Sequence, residues 1–383
     1  MSRFAVRHGR LGDPGPGDQG AAPGAGLTIG VEEEFLLLDP ATGATVPRAS
    51  RVLDGHRPLP DGAALHRELR ATQVEAASGI CLDAQGLRTQ LVRGRHLLHE
   101  AAVLHDTVIA AAGTSVLSGP ATLGDNDGRF GRIDDLYRGM VADYEACGCH
   151  VHVGVPDRET AVAVVNHLRP WLPALLALSV NSPFDHGRDT GYGSWRIVQQ
   201  SRFPGAGVPP FFPDLAAYDD EVDRLVDCGA LVDASMSFWL ARPSKRLPTI
   251  EFRVADTALT VDEALLQALL GRALVRRALA DLDRGVAAPR LSGQVAAAAL
   301  WTAARDGLEG SGVHPGLAQQ MPAERVVVNL LEHVRPALEE AGDLDFVREQ
   351  VRRLLSEGTG AQRQRRAVAA GLPALITMLT GHA

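Results

Sequence analysis

The chain has 383 residues, a formal net charge of -8 and 45% hydrophobic residues, enough to bury a full core in one large or two moderate domains. No run approaches the ~20 uninterrupted apolar residues of a membrane span, and an acidic chain without a concentrated basic block offers no nucleic-acid surface. The four cysteines, Cys81, Cys147, Cys149 and Cys228, show no disulfide-framework spacing, so a reducing, cytoplasmic setting is expected.

Residues 1–26 hold Pro14, Pro16, Pro23 and seven glycines without an apolar core, and are expected to form a disordered leader rather than a signal peptide. From Leu27 to about Phe252, short β-like runs alternate with helical segments, whereas beyond Thr260 the pattern is almost wholly helical. An α+β body with a helical C-terminal part, about 260–383, is expected. Helices are predicted over 87–112, 159–180, 261–282, 291–305, 323–338 and 368–379. The irregular stretch 182–213 carries Gly187, Gly191, Gly193, Gly205 and Gly207 with Arg188, Arg196 and Arg202; loops of that length are usually functional or disordered.

Chemistry concentrates on three strand-like runs. In the first, Glu32-Glu33-Glu34 lies between Leu27-Thr28-Ile29-Gly30-Val31 and Phe35-Leu36-Leu37-Leu38. Side chains alternate along a strand, so Glu32 and Glu34 share one face, while Glu33 joins Val31, Phe35 and Leu37 on the other, where alternation gives it no reason to be. In Cys149-His150-Val151-His152-Val153, the two histidines share a face and Cys149 points away from them, which weakens a zinc reading of Cys147-Gly148-Cys149-His150. In Ile250-Glu251-Phe252-Arg253-Val254, Glu251 and Arg253 face together. A fourth candidate strand, 69–76, pairs Gln73 with Glu75. Each strand thus has an apolar and a charged face, the pattern of an antiparallel sheet with helices on one side.

Taken singly, each pattern also reads as a solvated face, a structural histidine pair or a surface ion pair. Their coincidence favours a metal site, and hard carboxylate oxygens point to Mg²⁺ or Mn²⁺, which commonly bring a nucleotide. There is no Walker A sequence and no Gly-x-Gly-x-x-Gly after a strand.

In order along the chain, Ile29-Gly30-Val31-Glu32-Glu33-Glu34-Phe35, Gln73-Val74-Glu75-Ala76-Ala77, Cys149-His150-Val151-His152-Val153-Gly154, Asn181-Ser182-Pro183 and Ile250-Glu251-Phe252-Arg253-Val254-Ala255-Asp256-Thr257 resemble the carboxylate–amine ligases called glutamate–cysteine ligase type 2. The resemblance runs from about Thr28 to Arg277. It implies a single catalytic domain over 27–383, related to glutamine synthetase, whose curved antiparallel sheet forms a funnel for ATP and two or more Mg²⁺ ions. It implies that Glu32, His150 and Glu251 hold one metal, that Glu34 and Glu75 hold another, and that Arg253 neutralises the transferred phosphoryl group. His152 would lie nearer the nucleotide, Arg196 would hold a substrate carboxylate or phosphate, and Arg202 is a weaker nucleotide candidate. The implied reaction phosphorylates a glutamate-like carboxylate and then admits a cysteine-like amine; the glycines and arginines of the 182–213 loop lead us to expect that it closes over the acyl phosphate. Relatives suggest a homo-oligomer. A non-catalytic metal- or nucleotide-binding relative and a metal-dependent amide or phosphate hydrolase are the alternatives.

Overall fold

The computed structural model describes residues 27–54, 59–119, 128–314 and 316–381; the expected leader lies outside them. Seven strands form the main sheet: β1 (Ile29–Leu38), β2 (Ala64–Arg67), β3 (Gln73–Ala77), β4 (Val108–Ala110), β5 (Gly148–Gly154), β6 (Ala241–Pro243) and β7 (Thr249–Asp256). Their order is β2-β3-β1-β5-β7-β6, every pairing is antiparallel, and β4 joins the far end of β1.

The sheet has one dry face. Ile29, Val31, Val151, Val153, Phe252 and Val254 are buried there among residues of helices Arg158–Leu168, Leu172–Ser179 and Val261–Asp283. The last begins at Thr260, whose hydroxyl accepts from Glu263 N at 3.2 Å, and is buried continuously from Ala264 to Val275. A helix buried on every side needs neighbours on every side. The sheet lies on one flank, and helices Ala323–Ala341 and Leu344–Glu357 cover another.

Three helix boundaries differ from expectation. The first helix is Ala84–Val103, not 87–112. The chain turns at Asp106, with φ 51°, and the β-branched Val108 and Ile109 are drawn into a ladder with β1, which β-propensity favours once a partner exists. The expected 159–180 helix breaks into two segments 71° apart, because Pro170 cannot donate to the preceding turn. The C-terminal 368–379 helix divides at Gly371, φ 104°, into Gly360–Ala369 and Leu372–Thr380. Helix Leu344–Glu357 was not expected, and 182–213 contains helix Trp195–Gln200 and a small ribbon, Phe184–Asp185 with Arg188–Asp189. Among the described residues no single helix is long and apolar enough to cross a membrane.

Glu33 now has an account. It faces the helix layer and accepts from Arg95 Nε at 3.1 Å and Nη2 at 2.6 Å, and both side chains are 1% exposed. Arg95 also donates to the carbonyls of Ala258 and Leu259, so the buried pair is hydrogen-bonded on both sides, as a charge in a dry layer must be. Glu33→Ala, which strands Arg95, should lower the unfolding free energy by about 3–5 kcal/mol; an unchanged denaturant midpoint would show that the pair contributes nothing.

Candidate active site

The register of the sheet assembles the charged face. Glu75 stands opposite Glu34 between β3 and β1, Glu32 opposite His150 between β1 and β5, and His152 opposite Glu251 between β5 and β7. Arg242 on β6 stands opposite Glu251 in turn. These cross-strand neighbours form the floor of a cavity of about 800 Å³.

Within the floor, ligand atoms approach within 4.8 Å of one another in three groups: Glu32, His152 and Glu251; Glu32, Glu75 and His150; and Glu34, Glu68 and Glu75. No cysteine belongs to any of these groups among the described residues. Two details correct the sequence reading. Glu251 is grouped with His152, its cross-strand neighbour in the β5–β7 ladder, rather than with His150. Glu68, beyond the end of β2, was missed. Nothing local marks it, because the fold alone brings the β2–β3 link to Glu34.

The electrostatics are those of ligands in search of a cation. Burial works against the Glu32 carboxyl, but hydrogen bonds with His150 and His152 outweigh it and hold the group well below the usual carboxylate range. Burial and the Glu34 charge push Glu68 up to about 7, and burial with Glu68, Glu32 and Glu34 pushes Glu75 well above its ordinary value. Burial and Arg253 lower His150 to about 4, keeping it neutral and able to ligate. His150 Nε2 is buried without a hydrogen-bond partner, and His152 Nε2 lies 3.3 Å from Glu32 Oε1. Imidazole nitrogens packed against carboxylate oxygens fit a divalent cation.

Glu251 is held differently. Burial raises it, but Arg242 and Arg253 overcome that and keep it well below the ordinary range. Arg242 grips it through Nε at 2.7 Å and Nη2 at 3.2 Å, and Arg253 Nη1 donates at 2.5 Å. Sequence reasoning missed Arg242, whose only local signal is a short Ala-Arg-Pro run.

Arg196 is 2% exposed and lines the cavity. Its Nη2 donates to Arg253 O at 3.1 Å, and its Nη1 lies 3.8 Å from the fully buried Asp256. Asp256 also accepts from Asn181 N at 2.8 Å, Ser182 Oγ at 2.7 Å and Ser194 Oγ at 2.8 Å. The start of helix Trp195–Gln200 is therefore fastened to the end of β7, so this part of 182–213 is an anchored wall rather than a free lid. Gly148 makes room for it: a Cβ there would meet Arg196 Nη2 at 2.4 Å. Arg202 is not among the lining side chains. Its Nε donates to Gln199 O and it pairs with exposed Asp143, so the structure does not bring it to the site.

The sequence model of glutamate-cysteine ligase family 2 matches residues 28–377. The chain belongs to this family. A Saccharopolyspora erythraea protein provisionally named glutamate–cysteine ligase 2-2 is 54% identical over 94% of this chain and 92% of its own. A Salinispora arenicola protein, provisionally named glutamate–cysteine ligase 2, is 44% identical over 89% and 90%. Among solved structures, the Francisella tularensis glutamate–cysteine ligase in complex with AMP superposes with a TM-score of 0.67 at 13% identity, covering 93% of this chain and 88% of that one. The ligase PafA, solved with the ubiquitin-like protein Pup, gives 0.52 at 14% identity, covering 94% and 73%. The α+β fold is thus of the glutamine synthetase-like kind, and the family is one of ATP-dependent carboxylate–amine ligases.

A carboxyl raised in the folded state binds a proton that the unfolded chain has released, so its contribution to stability is present at low pH and lost as pH rises through the folded value. For Glu68 that window runs from 4.5 to about 7. The metal-free protein should lose thermal stability across this range, less so as Glu68→Gln, and Mg²⁺ should restore it near neutrality with release of protons. A flat melting profile, identical with and without Mg²⁺, would argue against a metal site here.

Proposed function

We propose that this ligase couples ATP cleavage to amide formation between the γ-carboxylate of glutamate and the amine of cysteine, as the names of its relatives suggest, through an acyl phosphate. The observation that carries the reading is the row of orphaned donors and paired carboxylates across β3, β1, β5 and β7. Glu32, Glu34, Glu68, Glu75, His150, His152 and Glu251 would hold Mg²⁺, with Mn²⁺ a chemical equivalent. When bound, such ions neutralise phosphate charge.

The chain's own residues do the rest. Arg253 Nε and Arg196 Nη1 are buried on lining residues without hydrogen-bond partners, an expensive state unless a ligand oxygen accepts from them. They suit the equatorial oxygens of a phosphoryl group in flight, whose charge such fixed donors stabilise. A carboxylate oxygen attacks the γ-phosphorus, the bond to the β-phosphate oxygen breaks, and ADP leaves with the electron pair. The amine nitrogen then attacks the acyl carbon, the carbon–oxygen bond to phosphate breaks, and the nitrogen gives its proton to solvent. Arg242 keeps Glu251 ionised and oriented throughout.

ADP release screened across carboxylates and amines tests the substrates, with hydroxylamine added to trap an acyl phosphate as hydroxamate. Glutamate with cysteine should be turned over best, and turnover without ATP would sink the ligase reading in favour of a hydrolase. Glu32→Ala and Glu251→Ala should lose at least about 100-fold in turnover while remaining folded by circular dichroism. Arg253→Lys should damage turnover more than nucleotide binding, because the planar fork is lost while the charge is kept; normal turnover would make Arg253 structural.

A further inference from the structure

The cavity is lined by seven cationic side chains: Arg129, Arg158, Arg196, Arg242, Lys245, Arg246 and Arg253. Five are committed. Arg129 pairs with Asp233, Arg158 with Asp219, Arg242 and Arg253 with Glu251, and Arg196 with Asp256. Lys245 and Arg246 are exposed and make no ion pair or hydrogen bond among the described residues. Arg242 and Arg253 share one carboxylate, and Arg253 Nε and Arg196 Nη1 keep free donors at the floor, but the lining cations with no ion pair at all among the described residues lie at one place, the turn joining β6 to β7.

That turn is tied to the floor. Ser244 N donates to Thr249 O at 2.8 Å, and Leu247 N to Ser244 Oγ at 3.4 Å, while Thr249 Oγ1 meets His152 Nδ1 at 2.9 Å. Arg242 stands opposite Glu251 in the ladder, and Lys245 follows three residues later. One strand spacing and three residues of chain place its Cα no more than roughly 16 Å from that of Glu251. Across the rim, Lys245 contributes to holding the Asp233 carboxyl low, behind its hydrogen bond with Arg129. The composition sharpens the point: Lys245 is the one lysine in a chain whose lysines and arginines total 38. A compact ammonium on a flexible stem suits an approaching phosphate as a point charge.

We propose that the β6–β7 turn, through Lys245 with Arg246 beside it, binds the phosphates of the incoming nucleotide at the rim, at the sheet edge opposite Glu68 and Glu75. The floor is rich in carboxylates, so a polyphosphate depends on cations at both its ends, and this turn supplies those at the outer end. The inference rests on the ligase reading. It assigns the uncommitted anion-binding charge to the nucleotide rather than to the amino-acid carboxylate, a chemically similar claimant.

The lone lysine makes the test direct. Acetylation with an N-hydroxysuccinimide ester, followed by peptide mapping, reads one ε-amine, with the chain's α-amine as internal control. Mg·ATP at ten times its Kd should slow modification of Lys245 about tenfold and leave the α-amine unaffected; AMP should protect less, and glutamate alone should not protect. Lys245→Ala should weaken Mg·ATP binding roughly tenfold or more in equilibrium dialysis, while Lys245→Arg should stay within about threefold. If wild-type protein binds and cleaves ATP but Lys245 is unprotected and Lys245→Ala binds ATP normally, the proposal fails and the ligase reading stands. Protection by glutamate and not by ATP overturns the nucleotide assignment. A wild-type protein that binds no ATP overturns the ligase reading and this proposal with it.

Discussion

Five carboxylates, Glu32, Glu34, Glu68, Glu75 and Glu251, converge on one cavity, and like charges at that density repel unless a cation intervenes. Most of the other features serve that arrangement. Antiparallel register decides which carboxylates meet, the dry opposite face keeps the strands in register because a slip of one residue would exchange the two faces, and arginines hold Glu251 where the floor meets β6. At the centre of the floor Glu32 is faced by imidazoles, whereas Glu251 at its edge and Glu33 on the opposite face are held by guanidinium groups.

Glu33 and Glu251 show the two ways this chain ionises a buried carboxylate. Glu33 shares its arginine with the carbonyls of Ala258 and Leu259, just before the long central helix, so its charge ties β1 to that helix start. Glu251 is shared by two arginines that also line the cavity, so its charge stays within reach of a ligand. Two buried carboxylates on one sheet can therefore have unrelated duties.

Much of the floor was legible in the sequence because strand alternation has a period of two, and Glu32 with Glu34, His150 with His152, and Glu251 with Arg253 needed only that rule. What was illegible depended on distant partners. Glu33 waits for Arg95, 62 residues away. The grouping of Glu251 with His152 depends on the β5–β7 register, which no local signal encodes. Glu68 sits beyond a strand end and joins the site through pairing of β2 with β3. Helix boundaries failed where a single residue interrupts an apolar pattern, as at Pro170 and Gly371, or where a strand partner captures β-branched residues, as at Val108.

Thr257 suggests a division of labour between parts of the cavity. Its hydroxyl approaches Glu34 O at 2.6 Å and Gly148 O at 3.0 Å, linking the end of β7 and the start of β5 to the middle of β1. The rim is built otherwise, from the turn after β6, the segment around Ser235 to Phe238, and the helix carrying Arg129 and Phe130. Floor positions are constrained by the sheet, whereas rim positions are constrained mainly by what they touch. A substitution at the rim can therefore reshape the mouth of the cavity without disturbing the strand register that holds the carboxylates of the floor.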